Sequence, residues 1–223
     1  MIIQIFELRF LANLDFFEIR SKIGKPLEKI FKHWQYDATS LKFFDADKKV
    51  STTLECKRIL LVGINQDNGS FKKFVQDVYS SYFKIIPVEK IIRFGYRVHA
   101  SIEIESSFEE AVKLFEERVY PQTDNFKKIF PENFIDVAFV GDFKRKELLF
   151  HLATGPVTKE ECSRRMKENN PFEYAEDISD TSLYIDIDAF KENFNASELD
   201  NHLDLAFDQV DDIKENIFEF SLK

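Results

Sequence analysis

The sequence predicts an α+β protein made of two ferredoxin-like (βαββαβ) units in tandem, sharing one long central strand and closed by a C-terminal helix. Three observations carry this expectation. First, the run at 91–104 (IIRFGYRVHASIEI) alternates strictly from Phe94 onward. Phe94, Tyr96, Val98, Ala100, Ile102 and Ile104 are apolar or small, whereas Arg93, Gly95, Arg97, His99, Ser101 and Glu103 are polar or glycine. Successive side chains of a strand face opposite ways, so one face of this run meets a core and the other meets water or charge. Second, its fourteen residues far exceed a typical strand of about 5–6, enough to serve two neighbouring units. Third, the order strand–helix–strand–strand–helix–strand can be read both before it and after it.

The elements follow in order. Residues 2–11 alternate and are rich in β-formers, which reads as a strand. Within 13–34, Ile23, Leu27, Ile30, Phe31 and Trp34 recur at helical spacing, and Gly24 and Pro26 put the helix start near Lys25. Residues 40–45 and 52–65 read as two strands joined by the DADKK turn at 45–49. QDNGS at 66–70 is a loop in which Ser70 caps a helix over 71–83, and Pro87 closes the connection to the long run. Two split βαβ units of this kind form an antiparallel sheet with both helices on one face, and the first unit spans 1–104.

With the long run counted again as a first strand, 107–119 is a helix. Phe108, Ala111, Val112, Phe115 and Val119 lie on one side, with Ser106 or Ser107 as cap. Residues 125–133 read as a loop or short helical turn, 134–140 as a strand, Gly141-Asp142-Phe143-Lys144 as a turn and 147–154 as the returning strand, broken by Gly155-Pro156. Thr158 caps a helix to about Lys167, with Glu161 its box partner. A polar connection (168–181), a strand (183–188) and a long helix (196–218) complete a second unit over 91–223. A shared strand leaves no room for a flexible linker, so the halves should move together.

Composition narrows the function classes. The chain is 44% hydrophobic and 32% charged, an ordinary globular balance, and its 25 Phe residues belong mainly to a core. The net charge of −9 disfavours a nucleic-acid partner, because such surfaces need clustered Lys and Arg to neutralise phosphates. Cys56 and Cys162 lie outside any CxxC pattern, which fits a reducing compartment and supports neither a disulfide framework nor a structural zinc site. The N-terminus has no basic stretch leading into an apolar one, and no run of about 18 apolar residues occurs, so the expected setting is the cytoplasm, away from a membrane. There is no P-loop and no GxGxxG, and nothing calls for a cofactor.

Two short motifs, Phe6-Glu7-Leu8-Arg9-Phe10 and Arg93-Phe94-Gly95-Tyr96-Arg97, resemble a sporadically distributed, uncharacterised bacterial family whose members are a little longer than this chain. That family has an FEIRF-like first strand and an RFGLRYINRI-like central strand. The stretch LYIDIDAF from Leu183 and the Ile217-Phe218-Glu219 ending also resemble its C-terminus. The chain departs from the pattern at Ala100-Ser101, where the family has Asn-Arg. The resemblance implies coverage of nearly the whole chain and no activity.

The chemistry-bearing residues gather on polar strand faces. Arg93, Arg97 and His99 lie on that face of the long run, Glu7 and Arg9 on that of the first strand, and Asp186 and Asp188 on that of the last. If these strands are neighbours, the side chains meet on one surface. Arginine suits bidentate contact with carboxylate or phosphate, and histidine can move protons near neutral pH. The functional reading is a pocket for an anionic ligand or a nucleotide; the plainer one is cross-strand charge pairing.

The expectation is therefore a non-enzymatic binding or interaction protein, with a homodimer one possible assembly. One alternative is an RNA-binding or RNA-processing protein of the tandem ferredoxin-like type, resembling CRISPR-repeat endoribonucleases. Another is a metal-dependent phosphotransfer enzyme in which Asp186 and Asp188, with Asp136 as the one obvious third candidate, hold Mg²⁺ or Mn²⁺. His33, His151 and His202 stand alone, outside any HxxxH or triad spacing, and a histidine beside Trp34 reads as packed.

Overall fold

The structure, a computed structural model, describes residues 1–120, 134–172 and 178–222. The chain runs β1 (Ile2–Phe10), α1 (Asp15–Leu27), β2 (His33–Tyr36), β3 (Ser40–Asp45), β4 (Val50–Glu55), β5 (Arg58–Ile64), α2 (Asn68–Phe83) and β6 (Lys90–Glu103). It continues through α3 (Phe108–Val119), β7 (Phe139–Arg145), β8 (Leu148–Thr158), α4 (Lys159–Asn169), β9 (Thr181–Asn195) and α5 (Leu199–Leu222). The α+β class and the closing helix agree with expectation. The strands form one nine-stranded sheet among the described residues, in the order β2-β3-β4-β5-β1-β6-β9-β8-β7, and every ladder is antiparallel.

In the first half, α2 joins β5 to β6 in the same direction with β1 between them, a split βαβ arrangement. The second half does not repeat it. In such a unit the opening strand needs a neighbour on each side, and β1 already occupies one edge of β6. Only the other edge is free, so β9, β8 and β7 add outward from it in turn. There α4 is an excursion from a hairpin, because β8 and β9 pair directly from Thr158↔Thr181 to Leu149↔Phe190.

Alternation decides which face is covered. Phe6, Leu8, Phe94, Tyr96, Val98, Ala100, Ile185 and Ile187 are all buried in the main core. Over them lie Phe16, Ile23 and Leu27 of α1, Phe71, Val75 and Tyr82 of α2, Phe115 of α3, and Leu203, Phe207 and Val210 of α5. Tyr96 and Phe207 stack with ring centres 4.0 Å apart. A smaller cluster sits on the opposite face, where Cys162 and Met166 of α4 cover Ile3, Val62, Val157 and Tyr184. The helices are therefore not confined to one side. Among the described residues α4 is the helix packed on that face, and the site lies beside it.

Several elements differ from the sequence expectation. The first helix occupies Asp15–Leu27, with Pro26 in its last turn rather than its first. Phe16, Ile23 and Leu27 form its buried stripe, and Trp34 lies in an edge strand, 47% exposed. His33 stacks on Phe44 instead of packing inside. The run at 52–65 is two strands folded back through Cys56-Lys57, with Leu54 opposite Ile59. Asp67, not Ser70, caps α2, accepting from the Ser70 amide.

The proposed turn at Gly141–Lys144 lies inside β7, and the chain reverses at Lys146, whose φ is 53°. Gly155 and Pro156 continue β8, opposite Tyr184 and Leu183. Residues 134–138 precede β7 rather than forming a strand. The loop expected at 125–133 lies outside the described residues, as does part of the 168–181 connection. The Ser107 and Thr158 caps are present, the first as a full capping box with Glu110.

Candidate functional site

All seven residues singled out in the sequence lie on the face of the sheet opposite the main core. β6 sits between β1 and β9, with Glu7 opposite Gly95, Arg9 opposite Arg93, Arg97 opposite Asp188 and His99 opposite Asp186. Their alternation with buried Phe6, Leu8, Phe94, Tyr96, Ile185 and Ile187 forces them onto that face.

A cleft of about 600 Å³ opens over these strands, lined by Glu7, Arg9, Arg93, Gly95, Arg97 and Asp188, with Ile5, Leu60 and Val62 along one flank. Glu168, Asn170 and Pro171, at and after the end of α4, form a wall. Gly95 is the bare patch of the floor. A Cβ there would stand 3.0 Å from the Arg93 guanidinium and 3.5 Å from Asp188 Oδ1. Its lack of a side chain lets Arg93 reach across to Asp188, whose Oδ2 accepts from Nη2 at 2.8 Å.

The charges are crowded and shared. Glu7 faces three arginines: Arg9 at 2.9 Å, Arg93 at 3.3 Å and Arg58 at 3.6 Å. Arg58, Arg9 and Arg93 stand directly opposite one another on β5, β1 and β6, with Glu192 next along the row on β9. Like charges placed directly across a ladder oppose pairing. Arg97 donates to both oxygens of Asp186, at 2.8 and 2.6 Å. That hydrogen-bonded partner raises the Arg97 pKa above its usual value. Burial pushes the Asp188 carboxyl up, against the pull of Arg93 and Arg97.

His99 lies deeper, only 1% exposed. Its Nδ1 is 2.7 Å from the Tyr184 hydroxyl and 3.6 Å from Asp186 Oδ1, while Nε2 has no partner among the described residues. Burial lowers its pKa from 6.5 to about 4, with Asp186 opposing and Arg97 assisting, so the ring is neutral at pH 7. It is a supporting group beneath Asp186 and is not among the cleft's lining residues.

Sequence reasoning missed Gly95 as the floor, Arg58 as a third arginine on Glu7, and the wall after α4. A glycine within an otherwise alternating strand was the available signal for the first. Asp186 and Asp188 direct their oxygens at Arg97 and Arg93, and among the described residues no group of three His, Cys, Asp or Glu is arranged to hold a metal ion. Asp136 is exposed in the segment before β7, two strands beyond β9. Of the remaining histidines, His151 contacts Asp142 at 2.7 Å and buried His202 lies edge-on to Phe194. No helix among the described residues is long and apolar enough to cross a membrane. Set beside known proteins, the chain matches no family model, and no curated protein and no solved structure aligns with it significantly.

Proposed function

We propose that this is a binding protein, not an enzyme, and that its open sheet face holds a small anionic ligand through a carboxylate or phosphate group. The carrying observation is the row of Arg58, Arg9 and Arg93 abreast on three adjacent strands, with Glu55 and Glu192 opposite its two ends; Arg58 pairs with Glu55 at 2.6 Å and Arg93 with Asp188 at 2.8 Å, and Arg9 between them pairs with Glu7. Simple cross-strand pairing would alternate the signs. Three adjacent arginines at the middle of that row suit a bound anion, and arginine forks match carboxylate and phosphate geometry. Arg9 is the readiest donor: its side chain is 52% exposed, and its ion pair among the described residues is with Glu7.

The scaffold in this reading is a ferredoxin-like unit over 1–104, extended at one edge by β2 and β3 and at the other by β9, β8 and β7. Calorimetry at low ionic strength with phosphate, pyrophosphate and malonate tests the proposal. Binding should weaken about tenfold or more in Arg9→Ala. No heat with any of the three, or equal affinity in the variant, would contradict it.

A further inference from the structure

The floor of the arginine cleft is charged at one end and apolar at the other. On β1 the side chains that line it are Arg9, Glu7 and Ile5, and on β5 Leu60 and Val62 stand directly beside Glu7 and Ile5. Leu60, Ile5 and Val62 therefore form one apolar patch within the same cleft as Arg9. Leu60 and Ile5 are only half-buried against the smaller cluster, so part of each faces the cleft.

The spacing lets one small molecule touch both ends. Leu60 lies one strand across and two residues along from Arg9, about 8 Å between Cα atoms. Arg9 shortens that gap by leaning toward Glu7, with Nη2 2.9 Å from the Glu7 carboxylate. Ile5 and Val62 are one further step of about 7 Å along the strands.

Charge balance limits the head group. Arg58 is held by Glu55, Arg93 by Asp188 and Arg97 by Asp186, while Arg9 pairs with Glu7. Each arginine of the site thus already meets a carboxylate, so every negative charge on a ligand must share a cation. A single charge that shares exposed Arg9, with further affinity from apolar contact, fits this balance.

We infer that the ligand is an apolar monocarboxylate, its carboxylate on Arg9 and a compact branched or aromatic tail over Leu60, Ile5 and Val62. This rests on the anion-binding reading above and adds the rest of the molecule. A phosphate or a short dicarboxylate would leave the apolar patch uncovered and bring a second negative charge into a cleft that Asp188 and Glu168 also line. A neutral hydrocarbon would leave Arg9 unused.

The test is calorimetric titration of the full chain with 4-methylpentanoate and phenylacetate against acetate, 4-methylpentan-1-ol, phosphate and malonate. At least one of the two apolar carboxylates should bind about tenfold or more tightly than acetate, which lacks the tail, and than the alcohol, which lacks the charge. Leu60→Ala should lower that affinity about threefold or more while leaving acetate as it was, and Arg9→Ala should weaken both. If phosphate or malonate binds and neither apolar carboxylate exceeds acetate, the apolar-tail inference falls while the anion site stands. Alcohol binding as tight as that of the carboxylates, or carboxylate binding untouched by Arg9→Ala, also overturns the inference. If no anion of the series binds at millimolar concentration, the anion-binding reading falls with it. Far-UV circular dichroism of each variant confirms that losses come from the site rather than from unfolding.

Discussion

Arg97 and Asp186 show how one residue can serve both fold and site. The Asp186 side chain is 11% exposed and both its oxygens accept from Arg97, so Arg97→Ala strands a nearly buried carboxylate. The expected cost is about 1–3 kcal/mol in urea unfolding, moderated because Arg97 itself is 42% exposed. Arg9→Ala removes an exposed group and should leave stability nearly unchanged, which makes it the cleaner probe of binding. His99 gives a pH signature. Its folded pKa, about 4, lies below the unfolded 6.5, so the unfolded chain binds more protons between those values. Stability attributable to His99 is then complete above pH 6.5 and falls as pH drops toward 4, by about 3 kcal/mol at most. Asp188, whose pKa is raised by burial, acts in the opposite sense in acid. The comparison that isolates His99 is wild type against His99→Gln. The difference in their unfolding free energies should shrink steadily from pH 7 to 4, and a constant difference would contradict the assignment.

Elements are held by local chemistry that can be tested singly. The Ser107–Glu110 capping box satisfies the first amides of α3, and Ser107→Ala should cost about 1 kcal/mol. Gly155 in β8 is tighter. A Cβ there would meet the Val137 carbonyl at 2.6 Å and the Ala138 Cα at 3.1 Å, both backbone. Gly155→Ala should destabilise by about 1–3 kcal/mol in the same assay, because no flexible side chain can yield. Legibility in the sequence follows the same local logic. Strict alternation marked β1 and β6, and with them Glu7, Arg9, Arg93, Arg97 and His99, because period two is decided residue by residue. Turn chemistry misled where tertiary pairing outweighed it. Gly141 and Asp142 read as a turn, yet Phe143 stacks on Phe150 at 5.1 Å and keeps them in β7. Pro26 read as a helix start, although the buried Phe16, Ile23 and Leu27 stripe lies before it. Gly95 drew no notice as a floor, since what it leaves open depends on strands far away in sequence.

At the scale of the whole molecule, the long strand was legible, but its sharing between two ferredoxin-like units is not what the sheet order shows. Sequence order does not reveal that β1 fills one edge of β6, and this fact sends β9, β8 and β7 outward as an extension. The main core draws side chains from both halves, from Phe6 to Ile213. Native-state hydrogen exchange should therefore give β1, β6 and β9 amides the same, highest opening free energy. Markedly easier opening of β7 to β9 than of β1 to β5 would indicate two separable units. The central claim is that the open face is where a ligand goes, and arginine side-chain NMR tests it most directly. Pyrophosphate titrated into the labelled protein should shift the Nε–Hε resonances of Arg9 and Arg93 in one saturable curve while leaving the remote Arg118 and Arg145 unmoved. Resonances that stay still at Arg9 and Arg93, or that drift equally at every arginine, would contradict the account.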